Sequence, residues 1–129
     1  QMGVPDMRLP IQYALSYPCR VGLNSERLDF AKLGSLTFEN PDLDRFPCLR
    51  LAYESLEAGG NATCTMNGAN EVAVASFLSG EIRFTDIPHI IEETLAKCRH
   101  IEKPTLDDIF DTDSEAKRVA GKIKDKFRW

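Results

Sequence analysis

The sequence predicts a mainly α-helical protein, a small C-terminal helical bundle preceded by a linker and a leading helical arm. Apolar residues recur at three- and four-residue spacing in four segments after position 43. Glycines close two of these segments, at Gly59-Gly60 and at Gly80. Between 19 and 43 no helical period is present. These features divide the chain into an arm and helix over 1–17, a linker over 18–41 and a bundle over 42–129.

In "PDMRLPIQYALSYP", Pro10 suits a first helical turn, where its missing N–H costs little, and Ile11, Ala14 and Leu15 follow at helical spacing. Pro18 stops that helix. The linker carries Leu28, Phe30, Leu33, Leu36 and Phe38 at mixed spacings, which predicts a short extended segment near "SLTF". The first bundle helix is expected to bury Phe46, Leu49, Ala52 and Leu56. The second would start at Asn67 and bury Ala69, Val72, Ala73, Ser76 and Phe77. The third would be capped by Thr85 or Asp86 and bury Ile87, Ile90, Ile91 and Leu95. The fourth would open on a capping box of Thr112 with Glu115 and bury Ala116, Val119, Ala120, Ile123 and Phe127.

A chain of 129 residues needs neither disulfide nor metal to fold. Its net charge of -4 gives no electrostatic case for nucleic acid or an anionic membrane. The cysteines, at 19, 48, 64 and 98, form no C-x-x-C pair and read as buried reduced thiols of a cytosolic protein. His89 and His100 are too few to complete a Cys/His zinc site. "NAT" at Asn61 matches a glycosylation acceptor, a tripeptide common by chance. There is no apolar run of membrane-spanning length and no signal peptide. The opening "QMGVPDM" has no initiating methionine at position 1, and it reads as a fragment or a processed chain.

Among candidates for chemistry, Asn67, Asn70 and Glu71 stand together before an apolar run. As N-cap, N3 residue and first-turn acid they read as structural caps, because no second titratable group is placed opposite them. The run "DDIFDTDSE" fails as a calcium loop, since counting from Asp111 puts Ala116 at the glycine position and Lys122 at the bidentate glutamate. Ser16, Ser35 and Ser76 lack a G-x-S-x-G setting. "EAGGN" follows a helix, so it does not read as a phosphate loop. No catalytic or metal-ligating centre emerges from the residues themselves.

The ordered stretches "GVPDMRLPIQYAL", "LTFE" with a following "PD", "RFPCLRLAYE", "ANEVAVASFL" and "GEIRFTDI" resemble the C-terminal portion of the 1-deoxy-D-xylulose 5-phosphate reductoisomerase family. The resemblance covers nearly the whole chain; from about Asp113 it holds by residue type more than by letter. It implies an NADPH- and divalent-metal-dependent enzyme of isoprenoid biosynthesis, a cytoplasmic homodimer, with magnesium or manganese as the metal. It implies that the arm ends the catalytic domain and that Pro5, Asp6 and Met7 line the substrate and cofactor pocket. The family's nucleotide loop, metal ligands and phosphate contacts lie upstream, so this chain alone would bind neither NADPH nor metal and would be inert. Gly68 departs from an alanine commoner in the family. The alternative from another class is a stand-alone helical interaction module.

Overall fold

The structure is a computed structural model that describes residues 3–128. It holds six helices among the described residues: α1 (Arg8–Ser16), α2 (Phe30–Leu33), α3 (Pro47–Ala58), α4 (Ala62–Leu78), α5 (Asp86–Lys97) and α6 (Leu106–Lys124). No β-strand forms among these residues, so "SLTF" has no ladder partner. By contacts the chain divides into two compact units, Gln1–Asn40 and Pro41–Trp129.

In the first unit α1 begins two residues before Pro10, which therefore occupies the third helical position. Gln12 Nε2 donates to the carbonyls of Val21 and Gly22, both at 3.1 Å, and folds the following chain back along α1. The short α2 was not expected. It forms because Asp29 caps it, accepting from the N–H groups of Ala31 and Lys32 at 3.0 and 3.2 Å.

The second unit is a bundle in which α4, α5 and α6 pack on one another, and α3 packs on α4 and α5. Its core holds Leu51, Ala69, Ala73, Ile82, Ile87, Ile90, Ile91, Ala120 and Ile123. The isoleucines of α5 and the alanines of α6 point inward as the spacing predicts. Small residues dominate the buried face of α4: Ala62, Thr65, Gly68, Ala69, Ala73 and Ser76. A Cβ added at Gly68 would lie 3.1 Å from the Ala116 Cβ and 3.3 Å from the Asp113 carbonyl oxygen, so α4 and α6 meet almost backbone to backbone.

Three expectations need correction. Helix α4 starts at Ala62, with Asn61 at its N-cap position, so Asn67, Asn70 and Glu71 lie in its interior and cap nothing. Helix α6 starts at Leu106, where Thr105 and Asp108 make the capping box; Thr112 is buried in mid-helix. On α3 the buried face carries Leu51 and Ser55, while Phe46, Leu49 and Leu56 face outward.

Ion pairs cross the bundle surface. Lys117 reaches Glu71 at 2.8 Å and Asp113 at 2.9 Å, Lys124 reaches Glu81 at 2.7 Å, and Lys126 reaches Glu93 at 2.7 Å. The lysine hydrogen bonds hold all three glutamates below the usual carboxylate range. A depressed folded value means that this support is complete above the ordinary glutamate pKa and drains as pH falls through the folded values. Melting temperature measured from neutral pH downward should accordingly hold until about pH 4–5 and then decline, with 1 M salt shrinking the decline. A melting temperature independent of pH down to about 3 would show that these pairs add nothing.

Candidate functional site

Asp6 organises the arm. Its Oδ1 accepts from the Arg8 N–H at 3.0 Å, and its carboxylate receives the Arg8 guanidinium, the shortest contact being 2.7 Å at Oδ2. The Arg8 side chain holds the Asp6 carboxyl below its usual range. This ties the turn to the start of α1, so that "VPDM" enters the helix on one path. Met7 follows with 71% of its surface exposed, and Ile11 and Leu15 continue its stripe along α1. A groove on the other side of the arm is lined by Val4, Asp6, Leu9, Tyr13, Ser16 and Arg20 among others. Arg20 lies 5.7 Å from the Tyr13 ring centroid. Of the three residues placed on a pocket wall, Asp6 lines this groove; Pro5 and Met7 do not.

The second polar cluster sits on α4. Asn67 Nδ2 donates to Glu71 Oε1 at 3.0 Å, and Lys117 of α6 bridges Glu71 and Asp113. Asn67 and Glu71 are exposed, and Asn70 is half-buried. Every charge in the cluster has a partner. It is an interhelical tie, with no feature of an acid–base site.

The glycine pair precedes α4 as well as following α3, contrary to expectation, and could in principle present a helix N-terminus to a phosphate. Protein already fills that position. The Asn61 N–H donates to the Ile101 carbonyl at 3.1 Å, and Asn61 Oδ1 accepts from the Ile101 N–H at 2.8 Å. Asn61 Nδ2 donates to the Arg99 carbonyl and to Thr112 Oγ1, both at 3.0 Å. The amide is 1% exposed, so the glycosylation pattern is closed in the folded chain. Sequence reasoning missed this residue because its bonds reach across the fold instead of into its own helix.

Asp113 pairs with Lys117 and Glu115 with Arg118, and no group of three metal-binding side chains comes together among the described residues. Cys48, Cys64 and Cys98 are half-buried and Cys19 is exposed, which corrects the expectation of four buried thiols. Burial is the leading cause that raises the first three above the ordinary thiol value. His89 stacks on Phe127 at 6.3 Å between centroids.

A family model described as the DXP reductoisomerase C-terminal domain matches residues 2–119. The 1-deoxy-D-xylulose 5-phosphate reductoisomerase of Phocaeicola vulgatus is 55% identical over 120 residues, covering 93% of this chain and 31% of that protein. Its counterpart from Acetivibrio thermocellus is 52% identical over 123 residues, covering 95% of this chain and 32% of that protein. Among solved structures, the Zymomonas mobilis reductoisomerase in complex with NADPH matches with a TM-score of 0.84 at 46% identity, over 96% of this chain and 33% of that one. A DOX-P reductoisomerase with fosmidomycin and magnesium matches with a TM-score of 0.81 at 36% identity, over 97% of this chain and 33% of that one. The chain thus spans about a third of the length of the relatives it matches. With a family model over nearly its whole length and a fold shared with solved members, this chain belongs to the DXP reductoisomerase family as a C-terminal portion.

Proposed function

We propose that this chain is the C-terminal part of a reductoisomerase that converts 1-deoxy-D-xylulose 5-phosphate to 2-C-methyl-D-erythritol 4-phosphate in the non-mevalonate route to isoprenoids. The family match over residues 2–119 carries this reading. The full enzyme uses NADPH and a divalent metal, magnesium or manganese. Bound there, the two supply hydride transfer and polarisation of substrate oxygens. The residues of this chain fit neither group: its glycine turn is filled by Ile101, and among the described residues no three His, Cys, Asp or Glu side chains come together to hold a metal ion. Both groups are then held by upstream domains of the same polypeptide.

Within that enzyme, residues 1–17 end the catalytic domain, 18–41 form the linker, and 42–129 form the bundle that buttresses the catalytic domain. The change of unit between Asn40 and Pro41 supports the start of the bundle, while residues up to Asn40 fall in a single unit. The whole enzyme works as a cytoplasmic homodimer, with no nucleic-acid or membrane partner. The net charge of -4 supports the first exclusion, and for the second no helix of the described residues is long and apolar enough to cross a membrane.

Calorimetric titration of the 129-residue chain with NADPH and with manganese should give no site-specific heat. Micromolar binding of either would overturn the view that this part is inert.

The pocket wall is tested in the full-length enzyme. Asp6 fixes the turn, and Met7 projects from it as an unpacked, polarizable side chain suited to lie against a nicotinamide ring or a substrate carbon chain. Met7→Ala should reduce kcat/KM by about 10–200-fold, the worth of one apolar wall contact, with little change in melting temperature. An unchanged kcat/KM with a melting temperature lower by several degrees would make Met7 a packing residue.

A further inference from the structure

Helix α3 is apolar on two sides. Leu51 and Ser55 are buried in the bundle, while Phe46 just before the helix and Leu49, Tyr53 and Leu56 along it are 58%, 38%, 58% and 68% exposed. At helical spacing these four fall within about 80° of one another, so they form one continuous stripe. Arg50 and Glu54, paired at 3.0 Å, lie along one edge of it, and Arg50 also reaches Glu92 of α5 at 3.1 Å. The Arg45 guanidinium lies 5.9 Å from the Phe46 ring centroid at one end, and an apolar stripe bordered by charged side chains in this way has the composition of an interface core and rim.

We propose that this stripe is the seat of the part of the same polypeptide that precedes residue 1. The proposal rests on the reading above only for the existence of that part. The chain spans 31–33% of its relatives, so about two thirds of the polypeptide lies outside it. A covalently attached partner acts at an effective concentration near the millimolar range, well above that of a second copy at micromolar protein. An interface that is never separated can also be apolar without a solubility cost to the free state. The same apolar spacing makes the stripe read as a core face from sequence. It is a core face, completed by residues that the bundle does not contain.

Hydroxyl-radical footprinting with mass-spectrometric readout tests this on the 129-residue chain and on the full-length enzyme. Oxidation of Phe46, Tyr53 and Leu56 should fall several-fold in the full-length enzyme and stay low at every protein concentration. Leu56→Glu should lower the melting temperature of the full-length enzyme and leave that of the 129-residue chain unchanged. Equal oxidation in both proteins would overturn the proposal. So would protection that grows with protein concentration together with a dimer seen by sedimentation, since the occupant would then be a second copy. An active reductoisomerase with a freely oxidised stripe would refute this proposal alone; a protected stripe in a protein without turnover would refute only the assigned activity.

Discussion

Asn61→Ala should lower the stability of the bundle by about 3 kcal/mol, because buried polar groups left unpaired each cost roughly 1–3 kcal/mol. The Asn61 side chain satisfies the Ile101 N–H, the Arg99 carbonyl and the Thr112 hydroxyl at 2.8–3.0 Å. Thr112 is buried and Ile101 half-buried, so water cannot replace the lost partners in full. For a unit of this size the melting temperature would fall by more than about 10 °C. Asn61→Asp separates shape from hydrogen bonding. The aspartate keeps an acceptor for Ile101, and the Thr112 hydroxyl can rotate to donate, but the Arg99 carbonyl would face a carboxylate oxygen. Asn61→Asp should therefore also destabilise at neutral pH and recover in part in acid, as the carboxyl takes up a proton. If thermal unfolding of either variant matches the parent within a degree, the junction is not holding the bundle together.

Gly60→Ala should be as damaging, by a different route. Gly60 has a φ of +55°, which costs a side-chain-bearing residue about 1–2 kcal/mol. Its added Cβ would also collide with the Ile101 carbonyl oxygen and press on the His100 ring and the Glu102 Cα. Backbone occupies two of those places, so the 99–102 segment must move away and release Asn61. Gly80 provides the control: its φ is +76° and nothing lies within 4 Å of an added Cβ. Gly80→Ala should cost only the conformational penalty, about 1 kcal/mol, whereas Gly60→Ala should cost several-fold more in denaturant unfolding. Equal losses would mean that backbone conformation alone decides both. Combining Gly60→Ala with Asn61→Ala should give less than the sum, since both release the same segment.

The helices with a single buried stripe were legible in the sequence. Ile87, Ile90 and Ile91 of α5, and Ala116, Ala120 and Ile123 of α6, are buried at the positions that their spacing predicts. The start of α5 at Thr85 and Asp86 was legible as well, but the starts of α4 and α6 were not. Helix α4 follows Asn61, whose side chain bonds to Arg99, Ile101 and Thr112 instead of to the first turn, and Asn67, Asn70 and Glu71 imitate a first turn from within the helix. Thr112 and Glu115 imitate a capping box two turns inside α6. The face of α3 was inverted because Phe46, Leu49 and Leu56 are more apolar than the Leu51 and Ser55 side, and helical period cannot say which of two partners an apolar stripe meets. The helix of the arm was legible in Pro10 and the spacing of Ile11, Ala14 and Leu15, whereas a pocket-wall role for Met7 is implied only by family likeness, as spacing alone makes it an ordinary packing residue.

The small side chains along α4 also reverse the usual direction of mutational risk. In most cores truncation is dangerous because it leaves a void. Where Gly68 admits the α6 backbone and Ala62, Ala69 and Ala73 are buried on the same helix, there is almost nothing to truncate, and the harm lies in growth. Single-nucleotide changes at alanine and glycine codons mostly enlarge the side chain, to valine, threonine, serine or a charged residue. This helix should then drift more slowly in sequence than the isoleucine-rich α5, where exchange among branched aliphatic residues stays within reach of the genetic code.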